Sequence, residues 1–282
     1  MSLRTYWRKF LNGFMFGLAG LLAVATVSVL FAILGYLVYH GGKNINWNFF
    51  TKLPTPVGEP GGGMANAIVG TAKLLLLALL LGLPVGVLTG VYLAEFGGKT
   101  IGFFIRYTTD LLNGVPSIVI GIFAYTVVVL PMHHFSTLAG GFALGVMMIP
   151  VTVRSTEQFL KAVPNSMREG AMALGASKWK TILTVVVPAA GSGIITGVML
   201  ALARVAGETA PLLFTAFSNR YWSGGWNDPI ASLPVMIYTY AIGPYADWHE
   251  QAWAAGLVLL ALVLAVNAGT RLVLARKVSV SR

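Results

Sequence analysis

The sequence predicts an all-α, polytopic membrane protein with six transmembrane helices, and three observations predict it. Of 282 residues, 56% are hydrophobic and only 10% charged, whereas soluble domains carry about 25% charged residues. The apolar residues lie in long uninterrupted blocks that only a bilayer solvates. Lysine and arginine sit almost wholly in alternate connections between those blocks, the mark of a chain threaded repeatedly through a membrane. Nine acids and nineteen bases cannot clothe a soluble globule of this size,. The net charge of +10 is scattered singly and forms no continuous stripe, so nucleic acid is discounted as a partner,. The absence of cysteine removes disulfides, thiolate metal sites and cysteine nucleophiles,.

The first block, Phe14 to Tyr39, is far longer than the apolar core of a secretion signal, and Tyr39-His40-Gly41-Gly42 offers no small-residue cleavage site,. It reads as a retained anchor. Gly41 to Asn66 is rich in Gly and Pro, including Pro54, Pro56, Pro60 and Gly61-Gly62-Gly63, which predicts an irregular loop,. The second block, Ala67 to Ala94, contains Gly82-x-x-x-Gly86-x-x-x-Gly90, a flat face that lets another helix of this or a neighbouring chain approach closely,. The third, Leu111 to Leu130, holds Asn113, Pro116 and Ser117, which read either as groups lining a pathway or as helix contacts around a proline kink,. The fourth, Leu138 to Val153, is short for a span of about 20 residues and is expected to run past Arg154,. The fifth, Ile182 to Phe217, is too long for one straight helix and is expected to break at Gly207 and Pro211. The connection 218–251 carries Trp222, Trp226, Tyr245 and Trp248, which suit an interfacial aromatic belt,. It encloses the apolar run Ile230 to Ile242, too short to span and read as a re-entrant or interfacial segment or as a lid on the bundle. The sixth block is Ala252 to Leu274.

Orientation follows from the bases. Arg4, Arg8, Lys9, Lys99, Arg106, Arg154, Lys161, Arg168, Lys178, Lys180, Arg271, Arg276, Lys277 and Arg282 fall on one side, against Lys43, Lys52 and Arg220 on the other. Fourteen against three puts both termini in the cytoplasm,. Lys73 and Arg204 lie inside blocks. The chain then reads as a single transmembrane domain over 1–282, with a cytoplasmic loop at 154–181 and an external one at 218–251.

Two tempting motifs fail. Gly98-Lys99-Thr100 resembles the end of a phosphate-binding loop, but Leu93 stands where that loop needs glycine, so no nucleotide cofactor is expected,. His133-His134 lies in a short turn without further ligands, and no metal is expected.

The loop 154–181 carries polar helix signals. Ser166 reads as an N-cap with Glu169 completing a capping box, Gly175 as a stop, and Ser177 as the cap of a second short helix,. The small residues Gly170, Ala171, Ala173 and Ala176 would let a partner surface approach the backbone, although an ordinary loop in which Glu169 is merely a cap fits the same residues. Glu169-Gly170-Ala171, then Gly175, then Val185, Val187 and Pro188 resemble the conserved loop of ABC-importer permeases, with glycine in place of the first alanine and valine in place of the usual larger aliphatics. That family has the all-α fold of the MetI-like permeases, and its loop seats in the ATP-binding subunits. The resemblance therefore implies that Glu169, Gly170, Ala171 and Gly175 couple the chain to ATP hydrolysis carried out elsewhere.

The run from Ala203 to Thr215, with Arg204-Val205-Ala206-Gly207-Glu208-Thr209-Ala210-Pro211, is similar to that of phosphate-importer permeases. So are Leu112 to Gly121 and Leu233 to Tyr238. This resemblance implies a substrate path through Arg204, Glu208 and Arg154. It also implies a second related permease, two ATP-binding subunits, an external phosphate-binding protein and the lipid of a bacterial inner membrane. The residues themselves leave alternatives. An arginine within a span costs roughly 2.5–3.5 kcal/mol and needs a reason. Glu208, four residues on, would share its face in a continuous helix, so the two read as a structural pair or as a guanidinium released to meet an oxyanion. Arg154 reads as a second cation on the route or as an interfacial anchor. Sulfate or molybdate would suit the same arginine, and an ion-coupled transporter without an ATPase is the rival of a different class.

Overall fold

The computed structural model describes residues 3–56, 59 and 61–280; Pro60 and Arg282 lie outside them. The described residues form helices α1 (Leu3–Lys43), α2 (Trp47–Thr51), α3 (Ala65–Glu95), α4 (Lys99–Gly114), α5 (Ser117–Ala124), α6 (Leu130–Met132) and α7 (Thr137–Lys161). These are followed by α8 (Asn165–Ala173), α9 (Lys178–Thr181), α10 (Val187–Ala206), α11 (Ala210–Thr215), α12 (Leu233–Ala241) and α13 (Ala246–Val280). π-helical turns join α5 to α6 (Tyr125–Val129) and α9 to α10 (Ile182–Val186). Each π turn stops one residue short of a proline, Pro131 or Pro188. A proline cannot donate to the preceding turn and its ring crowds the backbone there, so a locally widened turn relieves both faults.

Five helices are long and apolar enough to cross a membrane: Arg4–Lys43, Ala65–Glu95, Thr137–Lys161, Lys178–Ala206 and Ala246–Leu272. The fourth block does run past Arg154, to Lys161, and the fifth does break, between Ala206 and Ala210. The third block is corrected. It is not one span from Leu111 to Leu130, because the chain turns by 103° between Lys99–Gly114 and Ser117–Met132. Val115 and Pro116 adopt extended ψ angles of 130° and 136°, and the residue before a proline is pushed out of the α region,. Taken together the bent pair is long and apolar enough for a sixth span, of which Ser117–Met132 makes about 24 Å at 1.5 Å per residue,.

The tightest seam joins α3 to α7. Gly82, Gly86 and Gly90 are buried, and a Cβ added to them would lie 2.9 Å from Met148 Cβ, 2.5 Å from Thr152 Cβ and 2.5 Å from Thr156 Cβ. The glycine face is thus used inside the chain, with Thr152 and Thr156 fully buried against it. Close approach of this kind replaces the hydrophobic driving force that helices lack in lipid.

Hydrogen bonds define the two ends of the bundle. At one end Ser136 donates to Thr215 O, Thr137 to Asp228 O and Leu138 to Trp226 O, and Asn66 donates to Asn219 O. α12 is tucked there with Leu233, Pro234, Val235, Met236 and Tyr240 buried, and Leu233 N–H donates to Thr71 Oγ1 at 2.9 Å. At the other end α8 and α9 meet the C-termini of α3 and α7. α1 contacts α13 near the first end, where Gly41 lies against Trp253 and Leu257, and its remaining length is exposed as a lipid-facing helix would be.

Candidate functional site

α4 carries Arg106, Asp110 and Asn113 at spacings of four and three, which put all three on one helical face,. Each meets a partner on another element. Arg106 Nε donates to Glu157 Oε1 at 2.6 Å, Asp110 accepts two hydrogen bonds from the Arg154 guanidinium, and Asn113 Oδ1 accepts from Arg204 Nη1 at 3.0 Å. Arg106 also donates to Leu93 O at 3.0 Å, and Lys161 Nζ reaches Glu157 Oε1 at 2.7 Å. Glu157 is 4% exposed. Its burial is sustained by Arg106 and Lys161, with Arg154 Nη1 at 3.6 Å, because a buried carboxylate needs partners for its lone pairs,.

Arg154 and Arg204, expected together on the substrate path, are thus brought to neighbouring turns of one helix. Glu208 is not joined to them. α10 stops at Ala206, and Gly207 N–H closes the last turn on Arg204 O at 3.3 Å. The helical spacing that would pair Arg204 with Glu208 is lost at that break, and among the described residues Arg204 bonds Asn113 instead. Arg204 is exposed on this chain and Asp110 is 56% exposed, so the pair with Arg154 stands where an anion in water could reach it. The break before α11 lies beside the third crossing, since a Cβ on Gly121 would meet Pro211 Cα at 2.7 Å. Two broken helices therefore adjoin one another here, and irregular backbone at membrane depth is tolerated where protein or a water-filled cavity surrounds it.

The projecting segment differs from expectation at its start. Pro164, not Ser166, is the N-cap of α8, so there is no capping box, and the Glu169 side chain is exposed. Proline fixes φ at −58° and lets the helix begin two residues earlier, at Asn165,. The stop holds. Gly175 has φ +86°, Gly175 N–H donates to Met172 O at 2.9 Å and Ala176 N–H to Ala171 O at 3.2 Å, a Schellman closure,. Ser177 caps α9 through Lys180 N–H. Met167, Met172 and Leu174 are exposed, Leu174 at 91%.

Asp110, Glu157 and Arg106 were not singled out from sequence. The spacing Arg154-x-x-Glu157-x-x-x-Lys161 and the 106/110/113 face carry the signal, but it is legible only once α4 is known to be a helix rather than a connection.

Among the described residues, five apolar helices and a bent pair long enough for a sixth span, with Arg204 in the last turn of α10 before its break, define a multi-pass membrane protein. The chain belongs to the binding-protein-dependent transport system inner membrane component family, whose pattern matches residues 82–279. It is 44% identical over 272 residues to the "Phosphate transport system permease protein PstA" of Haemophilus influenzae, covering 96% of each chain. It is 46% identical over 246 residues to the protein of that name in Yersinia pestis, covering 87% of this chain and 83% of that one. In fold it is similar to a chain of a bacterial ABC transporter involved in the import of the acidic polysaccharide alginate, with a TM-score of 0.61, 14% identity, and coverage of 95% of this chain and 98% of the other.

Proposed function

We propose that this chain is the permease subunit of an ATP-driven inorganic phosphate importer of the bacterial inner membrane, with both termini in the cytoplasm. The observation that carries the reading is the convergence of a half-buried Arg154 and an exposed Arg204 on one face of α4. The names of the relatives support phosphate as the cargo. A guanidinium presents a planar fork of donors that matches the oxygens of a phosphate, and in this state the fork of Arg154 is filled by the Asp110 carboxylate,. Phosphate must displace that carboxylate, and displace Asn113 from Arg204, to pass. Exchange of one oxygen acceptor for another, a carboxylate at Arg154 and an amide at Arg204, keeps each guanidinium hydrogen-bonded throughout,. Glu208, in the break that follows α10, is a carboxylate that would receive Arg204 in the other state.

Because Arg204 faces outward from this chain, the path needs a second, related permease to enclose it. One of two ATP-binding subunits would seat on the exposed face of α8, with Glu169, Gly170, Ala171 and Gly175 forming the coupling surface, and an external phosphate-binding protein would deliver cargo at the α12 end. Net movement requires that the site bind phosphate with different affinity in its outward and inward states. The test is uptake of radiolabelled phosphate into proteoliposomes holding all partners, with sulfate and arsenate as competitors. ATP-dependent uptake that arsenate inhibits and sulfate does not is expected. Uptake without the ATP-binding subunits would point to an ion-coupled carrier, and inhibition by sulfate alone to another oxyanion importer.

A further inference from the structure

α8 has nine residues and none of them is buried, while isolated helices shorter than about 12–15 residues are marginal in water. Something outside α8 must hold it, and one side chain does most of that. Arg168 Nη2 and Nε donate to Glu95 Oε1 at 2.8 and 3.2 Å, Nη2 also to Leu160 O at 2.8 Å, and Nη1 to Val163 O at 2.6 Å, with Asn165 Oδ1 at 3.4 Å. Arg168 and Glu95 are only 16% and 7% exposed. Glu95 is the last residue of α3, and Leu160 and Val163 flank the end of α7. A carboxylate at a helix C-terminus opposes the helix dipole, and terminal carbonyls lack partners within the helix, so a guanidinium satisfies both ends together. The far side of the projecting segment is tied to the same place: Lys178 Nζ donates to Glu95 O at 2.8 Å, and Trp179 lies 4.9 Å from the Phe96 ring.

We infer that Arg168 is a positioning residue that fastens α8 to the joined ends of α3 and α7, so that a push on the exposed face of α8 moves those two spans as a unit. α7 carries Arg154 and Glu157, which lie about two and one turns before that junction,. Displacement of α8 is thereby delivered to the helix that bears one of the two arginines. Without the strut, α8 would swing on the residues around Pro164 and Gly175 while α7 stayed still. The inference rests on the proposed importer reading for its consequence in transport, though not for its consequence in structure.

Two measurements test it. In the full chain in lipid nanodiscs, Arg168→Ala should speed amide exchange across Asn165–Ala173 by about tenfold or more while the middle of α7 stays protected, and Arg168→Lys should restore part of the protection. In the reconstituted transporter, Arg168→Ala and Glu95→Gln should lower phosphate imported per ATP hydrolysed several-fold, with Arg168→Lys intermediate. Unaltered exchange in α8 of Arg168→Ala would overturn the strut, whatever the cargo. An unaltered import-to-hydrolysis ratio in the same variant would also overturn it. Failure of the unsubstituted transporter to accumulate phosphate would instead sink the importer reading, and the exchange result would still decide the strut.

Discussion

Arg204 and Glu208 illustrate how a spacing loses its meaning when a helix ends between its two members. Four residues apart, they would share a face of a continuous helix. With α10 closed at Gly207, Arg204 turns to Asn113 of α4 instead. A double-mutant cycle distinguishes the two arrangements. Arg204→Gln with Asn113→Ala should show a coupling of about 0.5 kcal/mol or more in thermal stability in detergent, whereas Arg204→Gln with Glu208→Gln should be additive. Transport should follow the cation: Arg204→Gln should abolish phosphate uptake, Arg204→Lys should retain part because ammonium lacks the bidentate fork, and Glu208→Gln should not rescue Arg204→Gln. Recovery of uptake in that double variant would mean that Arg204 serves only to balance Glu208.

Among the elements, the α3–α7 seam and α8 make opposite demands on glycine. Gly86 has no space for a side chain, since even a Cβ would come within 2.6 Å of Thr152 Cγ2. Gly86→Leu should therefore destabilise the bundle by about 1–3 kcal/mol through overpacking, read as a lowered melting temperature of the purified chain. Gly170 lies in an exposed helix with nothing within 4 Å of an added Cβ. Gly170→Ala should leave the melting temperature of the bundle unchanged and increase protection of α8 amides, because alanine gains about 0.5–1 kcal/mol over glycine in a helix interior. A lowered melting temperature in Gly170→Ala would mean that the α8 backbone is already in close contact with another part of the chain.

For the whole molecule, the hydrogen bonds at the two ends make the number of crossings even. α3 and α7 both run from the α12 end to the α8 end, and α13 begins at the α12 end beside the close of α1. The start of α1 and the end of α13 therefore share the α8 end, in keeping with fourteen bases against three. Labelling intact cells with an impermeant thiol reagent checks which end faces inward, and the absence of native cysteine keeps the background clean. A cysteine at Tyr221, 75% exposed, should react, and one at Leu174, 91% exposed, should not. Gly62 is a poorer reporter, because its φ of +81° and the nearby Thr55 leave no room for a side chain. Reaction at Leu174 but not at Tyr221 would invert the chain in the membrane.

Composition and the length of the apolar blocks were enough, without coordinates, to determine that the chain is helical and crosses a membrane several times. Those properties depend on the solvent each residue type requires, and solvent preference is written residue by residue. The stop at Gly175 and the break at Gly207 were legible for the same reason, since glycine acts on its own backbone, whereas Pro116 read only as a kink inside one span. The tertiary structure alone decided that the chain turns by 103° between α4 and α5, that Asn113 rather than Glu208 meets Arg204, and that Arg168 joins three helices. A guanidinium has five donors and a reach of several ångströms, so its partners are chosen by whichever acceptors folding brings near. Those acceptors lie 44 residues away for Arg154, 91 for Arg204 and 73 for Arg168. No local spacing encodes contacts at such separations.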